Sequence, residues 1–183
     1  MPAAVVSSLA QCHPTVVVAK ETAVGVIKNC ILPDHLLYDV DADIWAEVQD
    51  DGSVRFGKTD VGQTFAGKIH VVSFPRTQIG SMVARSRNLA TLESSKAVNA
   101  ILAPVPGELM AVNTTLLEHP LWVNLEPYGG GWVVQYRPSE PIPWLTGKEA
   151  QDAYAQRLKR TFRSVAGIND DFWCVHCNDW DEL

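Results

Sequence analysis

Between residues 38 and 137 the apolar positions come in short alternating runs rather than in helical stripes. In "DIWAEVQDDGSVRFGKT" Ile44, Ala46 and Val48 alternate with polar neighbours, and Val54 and Phe56 resume the pattern beyond Asp51-Gly52. Asp-Gly tolerates the positive φ angles of a tight turn, so this stretch predicts a β-hairpin. "KIHVVSF", "NLATLE", "VNAILA", "GELMAV" and "GWVVQYR" read as further short strands, divided by Gly, Pro and Asn. Closely spaced strands of this kind predict a small barrel or sandwich. The period then changes. In "TGKEAQDAYAQRLKRTFRSV" Ala150, Tyr154, Leu158, Phe162 and Val165 recur at helical spacing, predicting one amphipathic helix packed on the β body. Thr146 and Glu149 have the spacing of a capping box, each side chain serving the other's backbone amide. Acidic residues lie early in this helix and basic ones late, the order the helix dipole favours. The chain thus divides into an N-terminal extension (1–30), a β body (31–140), a proline-stiffened connection with the helix (141–166) and an acidic, cysteine-containing tail (167–183).

Composition narrows the function classes. The chain of 183 residues is 46% hydrophobic and 20% charged, an ordinary globular balance with enough length for a sizeable core. Its net charge of -6 disfavours a nucleic-acid partner, since phosphate neutralisation needs a concentrated basic surface. No apolar run approaches the roughly 20 residues of a membrane span. The first thirty residues lack the charged start and continuous apolar core of a secretory signal, and they lack the arginines of a transit peptide. These features point to a cytoplasmic protein with protein or small-molecule partners, in which Cys12, Cys30, Cys174 and Cys177 are reduced thiols rather than a disulfide framework.

One lysine stands apart. "LATLESSKAVNAILAPVPGEL" places Lys96 in a short polar break between two β-prone runs. Ser94 and Ser95 suit the turn, because their hydroxyls can bond turn amides. Taken alone, such a lysine faces water. Its surroundings carry more information: "ESSKAVNAILAPVPGEL" resembles the modification hairpin of lipoyl domains, and more closely that of the H protein of the glycine cleavage system. Glu93 stands three residues before Lys96, Gly80 sixteen before and Gly107 eleven after. In lipoyl domains residues at these spacings help present the lysine to the attaching enzyme. "LPDHLLYDVDADIW", "KTDVGQTFAGKI" and "EHPLWVNLEPYGGGWVV" are similar to the family's opening, its Thr-Asp-x-x-Gln strand and its Pro-Tyr-Gly-x-Gly-Trp closure, in the right order across about residues 31 to 140. The resemblance implies a mainly β, lipoyl-domain or H-protein-like barrel-sandwich hybrid with a C-terminal amphipathic helix on it. It also implies covalent lipoate on Lys96, attached by a lipoate ligase or lipoyl transferase, and no catalysis by the chain itself. Biotin acceptors resemble one another in having methionines on both sides of the lysine, where this chain has Ser95 and Ala97.

The identity of the cargo depends on departures from the pattern. Glycine cleavage H proteins open with His-Glu-Trp, near the cavity that shelters their loaded arm; here Asp43 and Ile44 precede Trp45. "NCILP" at Cys30 resembles the Gly-Cys-x-x-Pro start of the H-like lipoate-binding proteins of bacterial sulfur oxidation, with Asn29 in place of glycine. That likeness implies sulfur carriage with a heterodisulfide reductase-like complex and dihydrolipoamide dehydrogenase. The competing readings are a glycine cleavage H protein serving glycine decarboxylase and aminomethyltransferase, and an unmodified scaffold. Cys30 is either a small core residue or a thiol on the arm's path. Cys174, His176 and Cys177 in "CVHC" are read three ways: a mobile tail, a sulfur-handling dithiol, or half a zinc site completed by Cys12 or His13. Trp45, Trp122 and Trp132 are expected in the core, His70 and His119 in solvent, and Asp60 and Gln63 in hydrogen bonds to backbone.

Overall fold

A computed structural model describes residues 24–27 and 30–163. The Asp51-Gly52 turn joins β4 (Ile44–Val48) to β5 (Val54–Lys58), with Gly52 at φ +75°. Ser53 donates from both its backbone amide and its hydroxyl to the Asp51 carboxylate, at 2.9 and 2.6 Å, which fixes the turn. These bonds and the neighbouring Arg137 guanidinium hold the Asp51 carboxyl below its ordinary pKa.

This hairpin lies inside a seven-stranded sheet of order β12-β3-β4-β5-β11-β10-β7. The other members are β3 (Leu37–Asp39), β7 (Met82–Val83), β10 (Gly107–Val112), β11 (Val134–Pro138) and β12 (Leu145–Thr146). A second sheet of order β6-β8-β9 comprises β6 (Ile69–Ser73), β8 (Asn88–Ser94) and β9 (Val98–Leu102). Both sheets contribute to one core: Ile44, Ala46 and Phe56 from the first meet Val72, Leu92 and Ile101 from the second. The sheets remain separate rather than closing into a barrel. The long arm of the hairpin predicted around Lys96 is therefore held on one side by β6 and on the other by the shared core.

Three local expectations are corrected. The Thr-Asp-x-x-Gln stretch is not a strand but helix α1 (Asp60–Ala66), started by Thr59, whose hydroxyl accepts from the Gly62 amide at 3.0 Å, and closed by Gly67 at φ +78°. Thr before an acidic residue is a helix start, and that local signal outweighs the β-rich surroundings. At the later helix (Gly147–Arg163), Thr146 Oγ1 donates directly to Glu149 Oε2 at 3.1 Å instead of the two side chains serving each other's amides. The tryptophans also divide: Trp45 is buried with its indole N–H on the Pro127 carbonyl, Trp132 is half-buried under Arg55, and Trp122 is exposed.

The short helix α2 (Trp122–Leu125) precedes α3 (Gly147–Arg163), which buries Ala150, Tyr154 and Leu158 as expected. The Phe162 side chain and Val165 fall outside the described part. These three form a second core with Leu32, Leu36, Tyr38 and Trp45. Strand β1 (Val24–Ile27), within the predicted extension, pairs antiparallel with β2 (Cys30–Pro33) of the body and lies against α3. No helix among the described residues is long and apolar enough to cross a membrane.

Candidate functional site: the lysine hairpin and its support

Strands β8 and β9 pair from Asn88↔Leu102 to Glu93↔Val98, leaving Ser95, Lys96 and Ala97 at the tip. Ser94 organises the turn. Its amide donates to Ala97 O at 2.9 Å, and its hydroxyl accepts from the Lys96 and Ala97 amides, both at 3.1 Å. Lys96 is exposed, so its amine is reachable from solvent. Its methylene stem runs beside Gly67: a Cβ built there would lie 3.4 to 3.6 Å from Lys96 Cδ, Cε and Nζ. The turn and the glycine together give the lysine a defined exit from the surface.

Gly67 is itself held from below. Its carbonyl accepts from Asn124 Nδ2 at 3.0 Å, and the same nitrogen donates to Gln63 Oε1 at 2.8 Å, while Asn124 Oδ1 accepts from the Ile69 amide at 2.9 Å. Gln63 donates to Asp60 Oδ1 at 2.7 Å, and Asp60 Oδ2 accepts from the Ile31 amide at 2.7 Å. Tyr128 OH receives the Asp60 amide and donates to Ile31 O. Asp60, Gln63 and Asn124 are fully buried, so each bond satisfies a group that would otherwise be stranded. The motifs around residues 59–63 and 120–128, far apart in the chain, are one hydrogen-bond network beneath the lysine. Gly67 was not singled out from the sequence, whereas Asn124 is the Asn of the family-like closure segment "EHPLWVNLEPYGGGWVV"; the helix-start spacing of Thr59, Asp60 and Gln63 was the other available signal.

Glu93 is half-buried in a cross-strand row between the exposed Val71 and Val98, one residue pair below the tip. Gly80 and Gly107 stand elsewhere. The Gly80 amide donates to Leu109 O at 2.8 Å and Gly107 pairs with Val83, so the two stand at opposite ends of the short β7–β10 pairing. Gly80 has φ +83°, whereas Gly107 has ordinary strand geometry and is needed for space: a Cβ there would meet Arg137 O at 2.4 Å.

Asp43 and Ile44, where His-Glu was expected, are built into the frame. Ile44 is a core residue. Asp43, at φ +57°, accepts from Arg157 through both oxygens at 2.7 and 2.9 Å, tying α3 to this turn. That carboxylate keeps the Arg157 guanidinium's pKa raised. Lys58 donates to Ala42 O at 2.9 Å, and its burial pushes its pKa down against the pull of Asp43.

Cys30 is fully buried, its Sγ 3.9 Å from Thr64 Oγ1. It belongs to the second core, with Leu32, Tyr38 and Trp45. Cys12, His13, Cys174, His176 and Cys177 lie outside the described residues. Among the described residues no cluster of His, Cys, Asp or Glu suits a metal ion. His70 and His119 are exposed.

Two unclosed sheets sharing a core, with a lysine on the tip of a protruding hairpin, define a β carrier-type domain. The Glycine cleavage H-protein family profile matches residues 36–160, and the chain belongs to that family. It is 39% identical over 113 residues to glycine cleavage system H protein 3 of Aquifex aeolicus, covering 61% of this chain and 68% of that one. It is 36% identical over 138 residues to the probable glycine cleavage system H protein 2 of Saccharolobus solfataricus, covering 74% and 91%. The crystal structure of a glycine cleavage system H protein from Mycobacterium marinum superposes with a TM-score of 0.59 at 28% identity, covering 67% of this chain and 98% of that one. Proteins of this family are non-catalytic carriers of a lipoyl group held covalently on a lysine.

Proposed function

We propose that Lys96 is the lipoylated lysine and that the chain is a cytoplasmic lipoyl carrier for partner enzymes. The observation that carries this reading is the exposed amine on a turn pinned by Ser94, with its stem laid on Gly67. A paired hairpin holds the amine at a fixed height above the surface, so an acylating enzyme meets a defined target rather than a loop ensemble. Glu93 on the same hairpin lies within that enzyme's reach, while Gly80 and Gly107 act through the frame that supports the hairpin. Bound lipoate supplies a dithiolane, a disulfide that a partner's nucleophile can open and that accepts two electrons. The buried network under Gly67 keeps the tip in place while the arm moves, and tethering raises the local concentration of the carried group at each partner.

For the cargo, we assign sulfur carriage with a heterodisulfide reductase-like complex and dihydrolipoamide dehydrogenase. The support is the Cys30-x-x-Pro33 opening and the replacement of His-Glu by Asp43 and Ile44, both committed to the fold. With Cys30 closed off from solvent, sulfur would travel on the arm alone. The second reading, a glycine cleavage H protein serving glycine decarboxylase and aminomethyltransferase, is favoured by the names of the relatives.

The test has two stages. Apo-protein treated with lipoate ligase, lipoate and ATP is followed by intact mass and peptide mapping, with Lys96→Arg as control. Modification confined to Lys96 is expected; none in the wild type would leave only a scaffold role. The lipoylated protein is then offered to glycine decarboxylase in the glycine–bicarbonate exchange assay. Exchange as fast as with an authentic glycine cleavage H protein would overturn the sulfur assignment.

A further inference from the structure

The Lys96 side chain rests on a surface that offers it no hydrogen bond. Gly67 closes α1 at φ +78° and ψ -165°, a backbone state that is essentially glycine-only. Its amide donates to Gln63 O at 2.9 Å, and its carbonyl accepts from the buried Asn124 Nδ2 at 3.0 Å. Both polar groups of the residue are thus taken up by the network beneath, and what faces the lysine is the bare Cα. A Cβ built on it would lie 3.4, 3.5 and 3.6 Å from Lys96 Cδ, Cε and Nζ, which is ordinary van der Waals contact. Among the described residues Lys96 Nζ has no hydrogen bond or ion pair.

This arrangement suits the chemistry of attachment. With ATP as activator, a bond forms between the amine nitrogen and the lipoyl carboxyl carbon as the C–O bond to AMP breaks. The ammonium loses one proton to become the nucleophile and a second as the amide forms. A lysine paired with a carboxylate would resist the first step, because a nearby opposite charge favours the ammonium. A lysine free in solvent samples many rotamers, few of them aligned with the acyl carbon. Contact with Gly67 narrows the positions of the stem and leaves the nitrogen unbound.

We infer that Gly67 is a positioning residue for the acylation of Lys96: the attaching enzyme meets the amine lying on the Gly67 Cα, and Asn124, by drawing the Gly67 carbonyl inward, keeps that acceptor away from it. The inference rests on Lys96 being the attachment point. Glu93, in the cross-strand row below the tip, and Lys68, next to Gly67, are left untouched in the variants below, so a change in the amine's behaviour comes from position 67.

Initial rates of lipoylation of the full-length apo-protein by lipoate ligase, with lipoate and ATP, are measured against pH for Gly67→Asn and Gly67→Asp. The two side chains share a shape and pay the same backbone strain, and they differ by one charge placed within reach of Lys96 Nζ. Relative to Gly67→Asn, Gly67→Asp is expected to displace the rising limb of kcat/KM upward by about half a pH unit or more, which is about threefold slower at any pH on that limb. A purely structural role for Gly67 would lower both variants alike, and superimposable profiles would overturn the inference. A second measurement needs no variant to fold. In wild-type apo-protein carrying 13C-labelled lysine, nuclear Overhauser contacts between the Lys96 ε-protons and the Gly67 α-protons are expected, and their absence would overturn the inference equally. A wild-type protein that keeps those contacts yet is not lipoylated on Lys96 would instead defeat the assignment of the attachment point, and the inference with it.

Discussion

Replacing Gly107 by alanine puts a methyl group where none fits. The new Cβ would stand 2.4 Å from Arg137 O and 2.7 Å from the nearest atom of the buried Tyr136 ring. Arg137 belongs to β11, the strand paired with β10, so relief requires one sheet strand to move rather than a side chain to rotate. Overpacking of well-packed sites commonly costs about 1–3 kcal/mol, and a backbone obstacle places this case at about 3. Gly80→Ala is the natural comparison. There the nearest atom to a new Cβ is a Glu108 carboxylate oxygen at 3.9 Å, so space is free and the cost comes from φ +83° alone. An L-residue in left-handed conformation costs about 1–2 kcal/mol. At about 2–4 °C per kcal/mol for a chain of this size, Gly107→Ala should lower the melting temperature by about 6–12 °C and Gly80→Ala by about half as much. Thermal unfolding by circular dichroism, with urea midpoints as a second measure, reads both. A Gly107→Ala melt within about 2 °C of wild type, or a larger loss for Gly80→Ala, would refute the steric account.

Asn124→Ala should cost about 3 kcal/mol, since it leaves the Ile69 amide, the Gly67 carbonyl and Gln63 Oε1 without their buried partner; urea denaturation checks this. Arg157→Ala should cost about 2 kcal/mol by leaving the nearly buried Asp43 carboxylate without its partner, discounted for the guanidinium's partial exposure, again read as a urea midpoint. Alkaline titration offers an independent check, because burial raises the pKa of all four tyrosines: Tyr136 to about 12, and Tyr38, Tyr128 and Tyr154 well above the ordinary phenol value. These phenols ionise near pH 10 when unfolded, so their stabilisation is complete below that pH and falls by about 1.4 kcal/mol per pH unit per tyrosine above it. Lys58, whose pKa is lowered, has the opposite sign and acts only below its ordinary 10.5. Tyrosinate absorbance should therefore rise together with loss of circular dichroism; a tyrosine titrating near pH 10 in the folded protein would contradict the burial. Lys96→Arg, an exposed substitution, should abolish modification and move stability by less than about 0.5 kcal/mol, read as a melt.

Periodicity was enough to find the hairpin at Asp51-Gly52, the strands on both sides of Lys96 and the stripe of Ala150, Tyr154 and Leu158, because each depends on neighbours a few residues away. The order of the family-like segments marked the lysine in the same way. Three-dimensional packing decided the rest. Residues 59–66 became a helix because Thr59 caps it and Gly67 ends it, and only the folded chain brings Asn124 under Gly67 and so under Lys96. Gly107 could be flagged by spacing, but its reason, a carbonyl of β11 at contact distance, belongs to a strand thirty residues later. Trp122 carried the same apolar signal as Trp45, yet one seals the core and the other faces water, since burial depends on which elements arrive on top. Sequence alone marked Lys96 as the proposed attachment point; tertiary structure decided what holds that place still and what surface surrounds it, because both are made by contacts between residues distant in the chain.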